Sequence, residues 1–230
     1  ALASGEELLA DAVVMNGDCN ALASGLLGDT ARRSVTGTPP LSRSLSAMTW
    51  MLDAETTGFP LVRHNVFFSN NYPAEFTDLI EKQRLPREPT VYICAQDRED
   101  NSDLVGRERM LIIVNAPATG QSQPFDRAEY TVCEDSMHKV LSASGLSVNL
   151  RDAYIDRCNP HDFSAMFPAT NGALYGRASH GWQASLSRPG CRSKLRGLYL
   201  AGGSVHPGAG VPMAALSGIM AAECVIKDTP

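Results

Sequence analysis

The chain has no excess of positive charge, no paired-cysteine motif and no long apolar run, and each absence removes a class of function. Lys and Arg total 20 against 25 Asp and Glu, a net charge of −5. A nucleic-acid surface would need the opposite balance, so no nucleic-acid partner is expected. The one local basic group, Arg188, Arg192, Lys194 and Arg196, reads as a solvated loop, because charge runs usually face water. The six cysteines, Cys19, Cys94, Cys133, Cys158, Cys191 and Cys224, form no C-x-x-C pair, and no His–Cys set has zinc-finger spacing. No metal is expected. A chain of 230 residues needs no disulfide staples, so six reduced thiols in a cytoplasmic protein are expected. The opening residues ALASGEELLADAVV carry acids where a signal peptide carries positive charge. The most apolar stretch, Val211–Ile226, includes Glu223 and falls short of the roughly 20 residues of a membrane span. No Ser–His–Asp set, paired-carboxylate motif, internal repeat or low-complexity tract stands out. The chain starts at Ala1 rather than Met, in mid-pattern, and a longer parent protein is expected.

What is present falls into three blocks. Residues 6–16 read as a bent strand or strand pair, with the apolar run Ala12–Met15 ending at the turn residues Asn16, Gly17 and Asp18. Such a run suits a parallel sheet covered on both faces. A brief helix over 19–28 should stop at Gly28. From about residue 40 the pattern alternates: Ser44–Leu52, Leu61–Phe68, Thr90–Ala95 and Arg109–Asn115 are strand candidates rich in β-branched and aromatic residues. Helices are expected over 74–82, over 127–142 with Gly145 as its end, and over 159–168. This mixed order implies an α+β domain on a largely antiparallel sheet. The last 35 residues return to the parallel-sheet pattern of the first block, with a short strand Leu198–Ala201, a glycine loop, and a helix from about Met213 to Lys227. Asp18 is expected to cap a helix.

The loop Gly202-Gly203-Ser204-Val205-His206-Pro207-Gly208-Ala209-Gly210-Val211-Pro212 holds four glycines and two prolines. Glycine permits positive φ and close approach of a ligand to the backbone. Pro212 suits the first helical turn, where its missing N–H would be unpaired anyway. Ala214, Ala215, Gly218, Ala221 and Ala222 keep the helix thin. The loop therefore presents a helix N-terminus, with its free N–H groups and partial positive charge, to an anion or to an electron-rich edge. The alternative is a tight strand-to-helix turn with no ligand.

The text GLYLAGGSVHPGAGVPMAALSGIMAAE at 197–223 resembles the carboxyl-terminal flavin motif of the carotenoid desaturases related to bacterial phytoene desaturase. GEELLADAVVMNGD at 5–18 is similar to the segment where those enzymes return to their FAD domain, and 167–203 to their approach to the flavin. The likeness is strong at both ends and weak between 30 and 150. GGSVHP and PMAALSG are most similar to the branch acting on 1-hydroxylated acyclic carotenoids at C3–C4. The resemblance implies FAD as cofactor, a carotenoid substrate and a peripheral membrane lipid surface. It implies cofactor contacts at Gly202, Gly203, His206, Pro207, Gly208, Gly210, Val211 and Pro212, and names no catalytic residue. Other members of the same fold, phytoene desaturases or amine-oxidase-like flavoenzymes, are alternatives, as is a non-catalytic binding module.

The family's strand–GxGxxG–helix unit, which holds the ADP pyrophosphate, has no counterpart in these 230 residues. They are expected to be a carboxyl-terminal part, inactive alone and prone to self-association through an apolar sheet edge at 12–15 and 198–201. The expected architecture is an α+β substrate domain with an antiparallel sheet at 31–194, flanked by partial α/β, Rossmann-like FAD-binding elements at 1–30 and 195–230. Among the remaining residues, His206 reads as a loop-holding hydrogen-bonder ahead of a flavin-tuning group. His180 and Trp182 read equally as lining a substrate entrance or as packing. His64, His138 and His161 read as ordinary. Trp50, Phe67, Phe68 and Tyr72 read as core ahead of a polyene tunnel.

Overall fold

The computed structural model describes residues 2, 4–98, 106–178 and 187–229, except the side chain of Asp152. His180 and Trp182 lie outside the described residues. In chain order the elements are β1 (Val13–Met15), α1 (Cys19–Ala23), α2 (Asp29–Arg32), β2 (Ser46–Gly58), β3 (His64–Phe67), α3 (Tyr72–Phe76), β4 (Val91–Ala95), β5 (Arg107–Ala116), α4 (Arg127–Ala143), β6 (Leu146–Cys158), α5 (Pro160–Met166), β7 (Leu198–Leu200) and α6 (Val211–Asp228). They fall into two compact units. One comprises 1–44, 167–170 and 175–230; the other comprises 45–166 and 171–174. The first unit thus runs on to Ser44, past residue 30, where the sequence reading ends its first segment. The intervening 31–44 carries little regular structure of its own, and Arg43 forms a bridge with Arg177 inside the first unit.

The second unit is built on a five-stranded sheet in the order β3-β4-β5-β2-β6, antiparallel throughout. Alternation makes one face apolar. Met48, Trp50, Leu52 and Ala54 of β2 pack with Ile93, Ile112 and Val114 from its neighbours. Cys133, Met137 and Leu141, four residues apart on α4, complete this core. α4 begins with a capping box between Asp126 and Glu129 and is followed by Gly145 at φ +86°, so both ends are satisfied, the second at the glycine the sequence implies. β6 was not apparent in the sequence, because charges at Arg151, Asp152, Asp156 and Arg157 mask its alternation. It is an edge strand, where charge is tolerated and deters further pairing. The expected helix over 74–82 starts as α3, then widens: Lys82 N–H reaches back to Thr77 C=O at 3.1 Å, five residues away. Of the four aromatics, Trp50 and Phe67 are core, whereas Phe68 is 66% and Tyr72 45% exposed. These two rings meet edge to face with centroids 5.8 Å apart, and Tyr72 meets Phe76 at 5.0 Å.

In the first unit β1 pairs in parallel with β7, Val13 opposite Leu198 and Met15 opposite Leu200. The helix expected over 19–28 divides. α1 ends at Ala23, and Gly28, at φ +93°, precedes α2. Asp18 caps α1, its carboxylate accepting from the Asn20 N–H at 2.8 Å. The apolar edge expected at both strands is confined to β1: Val13 and Val14 are exposed, but Tyr199, Leu200 and Ala201 are buried. Ala221 and Cys224 of α6 pack on Tyr199 and Ala201 and cover β7.

Candidate functional site

The loop between β7 and α6 is held by three fixed points inside the first unit. The first is Ser217, on α6 and fully buried. Its hydroxyl accepts the Gly202 N–H at 2.8 Å and donates to the Ala214 carbonyl at 2.6 Å. The second is the backbone of His206, whose N–H donates to the Pro189 carbonyl at 2.8 Å. The His206–Pro207 peptide bond is cis. The third is Arg188. Its guanidinium donates to the Gly203 carbonyl and to the Arg177 carbonyl, both at 2.7 Å. Arg188 is 7% exposed, so the solvated-loop reading of the basic cluster fails at this residue. The sequence shows only four nearby basic side chains; the fold turns one inward to satisfy two carbonyls. Arg192 is also committed, pairing with both oxygens of Asp228 at 2.9 and 3.0 Å.

The glycines have separate reasons. Gly202 sits at φ +114°, and a Cβ there would lie 2.9 Å from Asn16 Oδ1. Gly208, at φ +139°, is buried, and its missing Cβ faces Arg188 Nε at 3.4 Å. Gly210, at φ +104°, is exposed, and a Cβ there meets nothing within 4 Å. Only Gly210 of these three therefore opens onto free space. Gly203, His206 and Pro207 are half-buried, whereas Val211 and Pro212 are exposed. The loop's last residues and the first turn of α6 are thus uncovered. α6 runs for 18 residues, long enough for the full helix-end charge.

Several ionisable groups surround the loop. Burial pushes the Arg188 and Arg43 guanidinium groups below their ordinary values, opposed in both by the carboxylate of Asp18. Arg177 lowers Arg188 further. Burial raises the Cys19 thiol, against a hydrogen bond from Ser204. A recess of about 280 Å³ lies in this region, with Thr38, Arg177, Arg188 and Lys194 among its lining residues. A larger, open hollow of about 800 Å³ lies at the opposite end of β7, beside Asp11, Arg192, Tyr199 and Asp228. It has no glycine of the loop in its wall. No cluster of metal-ligating side chains occurs among the described residues.

Comparison with known proteins adds the decisive observation. Over 228 residues, 98% of this chain, it is 53% identical to a hydroxyneurosporene desaturase of Rubrivivax gelatinosus, of which it covers 43%. Along nearly its whole length, this chain is similar in sequence to one part of the hydroxyneurosporene desaturases. A second one, from Cereibacter sphaeroides, is 43% identical over 99% of the chain and 45% of its own length. A 4,4'-diaponeurosporene oxygenase of Staphylococcus aureus is 31% identical over 71% of the chain and 33% of its own length. No protein-family model matches. The chain spans less than half the length of the hydroxyneurosporene desaturases it matches. Sequence reading singled out the glycine loop, but missed Arg188 and Ser217, which hold it. An arginine just before a proline in a basic stretch gives no local sign of burial. A serine in a small-residue helix gives none of a backbone partner.

Proposed function

We propose that this chain forms the glycine-loop side of the flavin site, together with the substrate domain, of an FAD-dependent desaturase. Its substrate is an acyclic hydroxycarotenoid, which gains a double bond at C3–C4. The observation that carries this reading is 53% identity to a hydroxyneurosporene desaturase along 98% of the chain. In this reading the unit with the five-stranded antiparallel sheet is the α+β substrate domain. The unit with β1, β7 and α6 contributes partial α/β elements to an FAD-binding domain.

The residues at the loop suit a flavin. Gly210 leaves open space at the start of α6, and the first turn of that helix is exposed. Bound there, FAD would supply the two-electron acceptor for the hydride removed from the substrate. Gly202, Gly203, His206, Pro207, Gly208, Gly210, Val211 and Pro212 would hold it. Their roles differ: Gly210 and Val211 offer the contact, whereas Gly202 and Gly208 give the loop its shape against Asn16 and Arg188. The helix N-terminus favours electron density gained on reduction. His206, tied through its backbone to Pro189, positions the loop.

A segment exchange tests the function. The matching segment of the Rubrivivax gelatinosus relative is replaced by this chain, and the chimera is supplied with a 1-hydroxylated acyclic carotene. A product with one more conjugated double bond, seen as a red-shifted absorption spectrum, is expected. A folded, flavin-containing chimera that leaves this substrate unchanged but desaturates phytoene would overturn the substrate assignment.

The reading also includes peripheral contact with lipid, where a polyene resides. In support, Val62, Val66, Phe68, Tyr72 and Ile80 are all exposed apolar side chains of the second unit, and no described helix is long and apolar enough to cross a membrane. Phe68→Ser with Tyr72→Ser should reduce co-sedimentation with phospholipid vesicles; unchanged sedimentation would place the contact elsewhere.

A further inference from the structure

Cys191 Sγ and Cys224 Sγ lie 3.0 Å apart, closer than two sulfur atoms in simple packing contact. The approach is built into the first unit from both sides. The Cys191 carbonyl accepts the Leu200 N–H at 2.8 Å, which fixes its segment to β7. Cys224 sits on α6, packed with Tyr199, Ala201 and Ala221. The residue after Cys191 adds a clamp, since Arg192 holds Asp228 at the far end of the same helix through two hydrogen bonds. Neither thiol is bonded to another cysteine. A disulfide needs a sulfur separation of roughly 2.05 Å, so closure asks for a shift of only about 1 Å.

We propose that Cys191 and Cys224 are a dithiol modification site that closes to a disulfide with a two-electron oxidant of the peroxide class. Exposure assigns the order. Cys191 is half-buried and reaches solvent, whereas Cys224 is 7% exposed. Cys224 also keeps its proton to higher pH than an ordinary thiol, first through its hydrogen bond with Cys191 and then through burial. The more accessible Cys191 sulfur therefore attacks hydrogen peroxide. The O–O bond breaks, a sulfenic acid forms, and hydroxide leaves to become water with the thiol's proton. The Cys224 sulfur then attacks the sulfenic sulfur, the S–O bond breaks, and a second water leaves. Two thiols and one peroxide become one disulfide and two waters.

The bond would close a ring from residue 191 to residue 224 that contains β7, the whole glycine loop and the first turns of α6. Oxidation thereby ties both ends of the loop's support covalently. The reduced protein relies on Ser217, Arg188 and the Arg192–Asp228 pair for the same purpose.

The test uses the 230-residue chain, treated with hydrogen peroxide, alkylated and digested. Peptides containing Cys191 and Cys224 should appear joined, two hydrogens lighter than their sum. Two of the six thiols should be lost to alkylation, and the thermal midpoint should rise by about 5–10 °C over the reduced form. Cys191→Ser and Cys224→Ser should each abolish the joined peptide and the shift, and Cys94→Ser should leave both intact. A joined peptide that persists in either serine variant, a bond to another cysteine or another copy, or oxidation of Cys191 that stops at sulfinic acid would overturn the proposal.

Discussion

At the residue scale, the loop's glycines predict two separable failures. Gly208 is buried at positive φ with its missing Cβ aimed at Arg188. Gly208→Val should therefore act on folding, costing about 1–3 kcal/mol through backbone strain and displacement of the guanidinium. Gly210 has the same kind of backbone but open space beyond it. Gly210→Val in the full-length protein should, on the proposed function, lower FAD content beyond what its loss of stability explains. The two readouts are denaturant midpoints and flavin absorbance per mole of protein. If both variants keep full flavin, the loop is not the cofactor contact. Ser217 gives an independent check. Its hydroxyl is the partner of the Gly202 N–H in a fully buried place, so Ser217→Ala should destabilise the chain by about 1–3 kcal/mol. Ser217→Thr keeps the hydroxyl but adds a methyl group where there is no room, and it should not restore full stability. A denaturation curve for Ser217→Ala identical to that of the parent would show that the bond contributes nothing.

At the element scale, the antiparallel sheet carries an ion pair with a buried carboxylate that makes its stability depend on pH. Glu108 of β5 is 2% exposed. It accepts two hydrogen bonds from Arg98, both 2.7 Å, and one from Thr56 at 2.6 Å. Burial alone would raise its carboxyl, but Arg98 and Thr56 reverse the sign and leave it lowered. Asp97 is lowered to about 2, chiefly by the Arg109 side chain, and Asp78 is lowered by Arg84 and Lys82 against burial. A carboxylate with a depressed folded value adds stability above its unfolded value, and that stability is lost as pH falls through the folded one. The loss should run from about pH 5 down to about pH 2, starting from unfolded values near 4. Glu108→Gln should be less stable than the parent at pH 7, by about 3 kcal/mol, because it removes the carboxylate charge that compensates the half-buried Arg98 guanidinium. Its stability should then fall less steeply between pH 5 and pH 2. Parallel pH profiles for the two proteins would remove Glu108 from the explanation. The same sheet marks the limit of reading by pattern. β2, β4, β5 and α4 follow from alternation, helical spacing and the stop at Gly145. β6 does not, because an edge strand tolerates the charges that erase its pattern.

For the whole molecule, exposed apolar surface and the lack of a pyrophosphate-binding motif set the expected behaviour. Val13 and Val14 on β1, with Leu216, Ile219 and Ile226 on α6, are exposed apolar residues of one unit. The isolated 230-residue chain should therefore self-associate, visible as a concentration-dependent mass in light scattering. A monomer at high concentration would contradict this. The chain alone should also fail to retain FAD. A single helix N-terminus contributes about 0.3–1 kcal/mol, or about 2 when partly buried, whereas micromolar binding needs roughly 8 kcal/mol. Stoichiometric, micromolar FAD binding in a fluorescence titration would show a more self-contained site.

Features that are local in the chain could be read from the residues alone. The glycine-loop text, the small-residue helix after it, the Asp18 cap, and β2, β4, β5 and α4 of the antiparallel core are all legible within windows of a few residues. Short-range backbone sterics and side-chain periodicity suffice for each. That the first and last blocks share a parallel sheet is also expected from the sequence, and β1 and β7 do pair. Folding was needed to reveal the details that join distant segments: the register that sets Val13 against Leu198, the inward turn of Arg188 onto Gly203, and the meeting of Cys191 with Cys224. Such partners become neighbours only when backbone polar groups and apolar faces must be satisfied together in a packed interior. That requirement belongs to the fold and leaves no mark in any one stretch of sequence.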